Sequence, residues 1–284
     1  MENKISYFFD EIFENFHKTS RSNSYYVHLD QELKEFISKS NFAPNKSGIE
    51  EFGPFGSVNL KYIEMGAITS LDLFGLDELI IFAFYWKNRI NYKNVCDIGA
   101  NIGLHSILMS KCGWNVNSFE PDPVTAKIFE NNINANSTNN IQLNRMAVSG
   151  FEGSAEFTRV TENTTGSHLS GAKENPYGQL DKFSVPVRDI KKIMPNSDLI
   201  KLDVEGEEAK VILSTDKDHW KNCDMMLEVG SSENAKLIFN HLNNLGINMF
   251  SQKKSWKKVE LLSEVPISYK EGSLFASMKE VMPF

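Results

Sequence analysis

The chain has 284 residues, 41% of them hydrophobic and 24% charged, with a formal net charge of −7. That length suits one large domain or one domain with an added subdomain, and the composition excludes a disordered, collagen-like or disulfide-scaffold chain. The acidic balance and only five arginines weigh against a nucleic-acid partner, since bulk electrostatics oppose it and bidentate phosphate forks are few.

Ile5, Phe8, Phe9, Ile12, Phe13 and Phe16 recur at helical spacing, so the chain opens on an amphipathic helix. Asp10 and Glu11 interrupt its apolar run, which does not read as a signal peptide. A second helix is expected over Gln31–Ser38, a loop over Gly48–Gly56 and a buried helix over Asp77–Trp86. The apolar run Leu79–Trp86 falls far short of the ~20 residues that span a bilayer. From Asn94 strands and helices alternate. NVCDIG is a strand ending in a glycine turn, LHSILMSKCG a helix closed by Gly113, and WNVNSFEPD a second strand. Val124–Asn134 is a helix with Pro123 just inside its start, and Ile141–Ser149 a third strand. Ala155–Val160 and Lys182–Val187 read as extra strands, and Ser197–Val204 as an apolar strand broken by Lys201 and Asp203. Glu207–Ser214 is a helix, Met225–Val229 a strand, and Asn234–Leu245 a helix stopped by Gly246. Ile247–Gln252 and Ser273–Met278 close the chain as an antiparallel pair. The alternation predicts an α/β fold with a mostly parallel sheet wound on both faces. Cys96, Cys112 and Cys223 form no CxxC pair and read as reduced thiols, which places the protein in the cytoplasm.

DIGANIG, Asp97 to Gly103, follows a strand and opens a helix, the setting of a nucleotide-binding loop. Gly99 permits a tight turn, Gly103 lets the helix start pack on the strand, and the exposed N–H groups there suit a carboxylate or phosphate. The dinucleotide pattern GxGxxG fails, because Asn101 and Leu104 stand where glycines are needed. Glu120 ends the second strand, where a carboxylate accepts both hydroxyls of a ribose. Asp97 near an amine, N–H groups for a carboxylate and Glu120 for a ribose together describe S-adenosylmethionine.

With these residues in view, the sequence resembles the FkbM-type S-adenosylmethionine-dependent methyltransferases over about residues 94–278. The motifs are DIGANIGLHS, FEPDP, RMAVSGFEGSAEF and LIKLDVEGEE, of which the DVEGxE core is the most specific. The resemblance implies a Rossmann-like class I methyltransferase fold, seven-stranded with an antiparallel last strand. It also implies residue roles. Asp97, Gly99, Asn101 and Gly103 would line the methionine end of the cofactor, Ser106 would also belong to the cofactor site, and Glu120 would take the ribose. Asp122 would lie beside the adenine, Ala147 and Val148 would flank its ring, Pro121 would belong to the same cofactor site, and Asp203 would face the methyl group. The resemblance does not extend to residues 1–90, which are expected to form a helical and loop extension acting as lid, cap or interface. Residues 91–284 are expected to be the methyltransferase domain.

Asp203 and Glu205 emerge at the carboxyl end of a central strand, where open α/β sheets bind ligands. They can raise each other's pKa and make one a base, or orient the cofactor amine. His168, in a Gly/Ser/Thr-rich loop, is a further candidate for substrate contact or exposed loop. His105 reads as polar packing near the cofactor or as a base. Asp203 and Glu228 could hold Mg²⁺, but the adjacent Asp-Asn pair common at such sites is absent, so no metal is expected. The expected activity is O-methylation of a hydroxyl on a sugar, glycan or secondary metabolite, with N-methylation as the variant. A nicotinamide-dependent oxidoreductase is disfavoured by the failed glycine pattern, and a non-catalytic module by the intact acids at 97, 120 and 203. The partner expected is a small-molecule or glycan acceptor, with no nucleic acid, no membrane span, and a homodimer possible.

Overall fold

The computed structural model describes residues 4–160, 167–170 and 179–284. Seven helices appear among them: α1 Lys4–Asn15, α2 Ser24–Lys39, α3 Leu76–Lys87, α4 Leu104–Lys111, α5 Pro123–Ala135, α6 Glu208–Leu213 and α7 Ser232–Leu245. The strands begin with a small antiparallel pair, β1 Ile49–Glu51 and β2 Ser57–Asn59. Next come β3 Asn94–Ile98, β4 Asn115–Phe119, β5 Ile141–Asn144, β6 Ala147–Ser149, β7 Gly153–Val160, β8 His168–Leu169 and β9 Leu180–Asp189. The last are β10 Leu199–Leu202, β11 Asp224–Leu227, β12 Asn248–Ser251, β13 Lys257–Lys258 and β14 Leu274–Ser277.

The central sheet runs β13-β12-β14-β11-β10-β3-β4-β5. β5, β4, β3, β10 and β11 are parallel, and β14 inserts antiparallel between β11 and β12. This is the Rossmann-like seven-stranded arrangement expected, with the two-residue β13 as an eighth strand at the edge. Its central strands β3, β10 and β11 are buried along almost their whole length because helices cover both faces. Val95 and Val116 pack with α1–α4 in one cluster, and Cys96, Ile98, Ile200 and Met225 pack with α6 and α7 in another. The N-terminal helices therefore share a core with the sheet. Phe9 meets Phe52 and Phe55, and Phe52 meets Phe82 of α3, so the GIEEFGPFG segment is packing as well as turn.

Three expectations need correction. The second helix starts at Ser24, not Gln31: Asn23 caps it by accepting from the Tyr25 N–H at 2.9 Å, and Tyr26, Leu29, Leu33 and Ile37 form its buried stripe. The third strand does not run unbroken from Ile141 to Ser149. It divides at Arg145–Met146 into β5, in the central sheet, and β6, in a second sheet ordered β6-β9-β7-β8. The two extra strands, β7 and β9, are longer than the sequence suggests and pair antiparallel from Gly153↔Val187 to Val160↔Leu180. Among the described residues, the connection from β5 to β10 holds this sheet and short 3₁₀ turns rather than an α-helix. The sheet brings β6 and β8 to the carboxyl end of the central strands.

Candidate active site

β3 ends in a backbone turn that only glycine fits. Gly99 has φ +76°, and a Cβ there would lie 1.7 Å from the Asp203 carbonyl oxygen. The ends of β3 and β10 therefore touch through Gly99. Asn101 also has positive φ, at 51°. Its N–H donates to Glu120 Oε2 at 2.9 Å, while the Asp122 N–H donates to Glu120 Oε1 at 2.9 Å. Glu120, 7% exposed, is thus cradled by two backbone donors at the end of β4. Burial outweighs those donors and pushes its carboxyl up to about 7.

A cavity of about 610 Å³ lies over these strand ends. Of the residues singled out in the sequence, Gly99, Asn101, Glu120, Pro121, Asp122, Ala147, Val148, His168, Asp203 and Glu205 line it. Asp122 is fully engaged. It caps α5 through the Val124 N–H at 2.8 Å and accepts Arg159 Nε and Nη2, both at 2.7 Å. Arg159 in turn lies over the Phe183 ring at 4.8 Å. His168 is not an exposed loop residue. It is 2% exposed and sits in β8, opposite Thr158 of β7. Most of the flanking polar stretch lies outside the described residues.

Three of the residues named for the cofactor stand behind the wall. Asp97 is 0% exposed and accepts from Ser106 Oγ, which also bonds Ser118 Oγ at 2.7 Å. Gly103 serves packing of helix on helix, not on the strand, because a Cβ there would lie 1.9 Å from the Phe129 ring of α5. Ser106 and Gly103 thus hold the shape of the loop. Two buried oxygens near it accept no hydrogen bond, Asp97 Oδ1 and Asn101 Oδ1, and of these two residues Asn101 alone lines the cavity.

At the other end of the cavity, Glu205 and Gly206 take positive φ, at 53° and 108°, and Glu208 fixes that turn by accepting the Val204 and Gly206 N–H groups at 3.2 and 3.0 Å. Asp203 Oδ2 lies 3.2 Å from Lys201 Nζ, which is also 4.0 Å from Asp97 and 3.5 Å from the Gly99 carbonyl. Burial works against the charge on Lys201, but Asp203, Asp97 and Glu78 outweigh it and hold the ammonium well above its ordinary range. Glu228, like Glu120 and Glu208, has a raised proton affinity. Burial, then Asp203, Glu205 and Glu78, push its carboxyl well above the carboxylate range. A smaller cavity of about 210 Å³ adjoins here, and Glu78, Asp203, Glu228 and Tyr269 line both. Among the described residues, no group of three His, Cys, Asp or Glu is arranged to hold a metal, and no helix is long and apolar enough to cross a membrane.

Sequence reasoning missed Lys201, Glu78 and Tyr269. Lys201 read as a break in a strand, and Glu78 was not singled out within its helix. The available signal was the lone lysine inside LIKLD, since a charge in a buried strand needs partners.

A sequence model of the methyltransferase FkbM domain matches residues 97–249. The chain is similar to Methyltransferase 1 of Beauveria bassiana ARSEF 2860, 24% identical over 194 residues, covering 59% of this chain and 77% of that protein. Among solved structures it is similar to a precorrin-6y C5,15-methyltransferase from Geobacter metallireducens GS-15. That match has a TM-score of 0.38 at 11% identity, over 70% of this chain and 86% of the other. A methyltransferase from Agrobacterium tumefaciens matches with a TM-score of 0.38 at 8% identity, over 72% of this chain and 63% of the other.

Proposed function

The chain belongs to the FkbM methyltransferase family, and we propose that it methylates a hydroxyl of a sugar or secondary metabolite with S-adenosylmethionine as donor. The observation that carries the donor assignment is Glu120. It is a buried carboxylate cradled by two backbone N–H groups at a strand end, and it lines the large cavity. Its oxygens keep lone pairs for two ribose hydroxyls. Gly99 and Asn101 form the loop wall for the amino-acid end, and Ala147, Val148 and Leu169 offer an apolar surface for a ring. When bound, S-adenosylmethionine supplies an activated methyl on a sulfonium.

A hydroxyl acceptor must lose its proton during methylation, so the site needs a base. Asp203, pinned by Lys201, and Glu205 and Glu228 line the same region. Glu228 suits the proton-accepting role because its surroundings raise its proton affinity, while a positive charge in the cavity favours its ionised form. Asp203 fixes the orientation of that charge. His168 contributes to the cavity wall on the side of the second sheet. The test is incubation of the full chain with methyl-labelled donor and panels of glycans and hydroxylated metabolites. Label recovered on an oxygen supports the reading. Label recovered on amines alone removes the O-methyl assignment and leaves the family assignment standing.

A further inference from the structure

Glu78 reaches the cleft from α3, outside residues 97–249. Its Oε2 is shielded from solvent and faces His105 Nε2 at 2.9 Å. His105 is itself fixed. Its Nδ1 lies 3.0 Å from Tyr85 Oη, and its ring meets Phe82 edge-on at 4.9 Å. Tyr85 and Phe82 are both 0% exposed. Burial raises the proton affinity of Glu78, but His105, Lys201 and Arg21 outweigh it and keep the carboxyl below its ordinary value. An ionised carboxylate held in place by His105 therefore stands at the cavity wall. Asp97 does not do so: it lies beneath Ser106 and off the cavity lining.

We infer that Glu78 holds the ammonium group at the amino-acid end of the cofactor, with His105 as the residue that positions it. The inference rests on S-adenosylmethionine occupying the cleft. It gives the N-terminal segment a share in the binding site. Lys201 then balances the surrounding acids, and Glu78 takes the role first assigned to Asp97.

The test is calorimetry on the full chain with two ligands, S-adenosylhomocysteine and 5′-methylthioadenosine. Both carry adenine and ribose, and only the first carries the amino-acid end. Glu78→Gln should weaken S-adenosylhomocysteine by about tenfold or more and leave methylthioadenosine within about twofold, as loss of one charge-assisted contact would. His105→Phe keeps the ring packing and removes both nitrogens; it should act in the same direction, less strongly. Glu78→Asp keeps the charge and should recover part of the affinity, which also serves should the Gln variant fold poorly. Unchanged S-adenosylhomocysteine affinity in Glu78→Gln overturns the inference. Equal loss for both ligands overturns it too, since that marks a packing role. A wild-type chain that binds neither ligand defeats the donor assignment itself.

Discussion

At Glu120, burial and hydrogen bonding pull in opposite directions. Burial wins in the free protein and lifts the carboxyl to about 7. Ribose hydroxyls donate to the ionised form, so affinity for S-adenosylhomocysteine should rise from pH 6 to pH 8 and level off above. Glu120→Ala should abolish that slope and weaken binding by roughly 1.5–3 kcal/mol for each charge-assisted bond lost; calorimetry at three pH values checks both. Stability carries the opposite sign. A carboxyl whose pKa is raised on folding stabilises the fold below its ordinary value of about 4.5 and loses that contribution as pH rises through about 7. The ligand-free protein should therefore lose this share on titration from pH 5 to pH 8, and Glu120→Ala should lose less. Asp203→Asn keeps shape and removes charge beside Lys201. It should reduce label transfer on the order of 10²-fold, more than His168→Ala does, in the acceptor pool the wild type labels. Full activity in Asp203→Asn would move the chemistry to other residues. Glu120 and Asp203 were readable because strand-end acids beside a glycine turn follow a local pattern. Lys201 showed only as a lone charge in a buried strand, and Glu78 did not show at all, because its partners Lys201 and His105 lie far from it in the chain.

Among the local elements, the glycine turns separate strain from contact. Gly113 closes α4 at φ +87° with open space where a Cβ would go, so Gly113→Ala should cost only about 1–2 kcal/mol of left-handed strain. Gly99→Ala forces the ends of β3 and β10 apart, and Gly103→Ala drives into Phe129. Denaturant unfolding should show a far larger loss for both than for Gly113→Ala, and Gly99→Ala should also lose ligand binding. Equal losses at all three positions would show that φ alone matters. The β-α alternation from Asn94 was legible because helical and strand periods are local. The break at Arg145–Met146 was not, since a strand-like stretch does not reveal that its halves join different sheets. His168 was misjudged for a related reason: a two-residue strand such as β8 has no period to read.

For the whole molecule, one core joins the N-terminal helices to the sheet. Phe8, Phe9, Leu33 and Phe82 belong to the same buried cluster as Val95, Leu108 and Phe275. Removal of residues 1–40 would uncover this aromatic face, so the shortened chain should lose its cooperative unfolding transition and aggregate. A sharp, unchanged transition would make those helices dispensable and weaken the case that α3 is held in place to present Glu78. The central claim is that the cavity over β3, β4 and β10 receives S-adenosylmethionine and not a nicotinamide dinucleotide. A thermal unfolding comparison on the full chain tests it most directly, with S-adenosylhomocysteine and NAD each at saturating concentration. A ligand at 100 times its dissociation constant adds about 2.7 kcal/mol, which raises the midpoint of a chain this size by several degrees. The account predicts that rise for S-adenosylhomocysteine and none for NAD; a rise with NAD alone would contradict it.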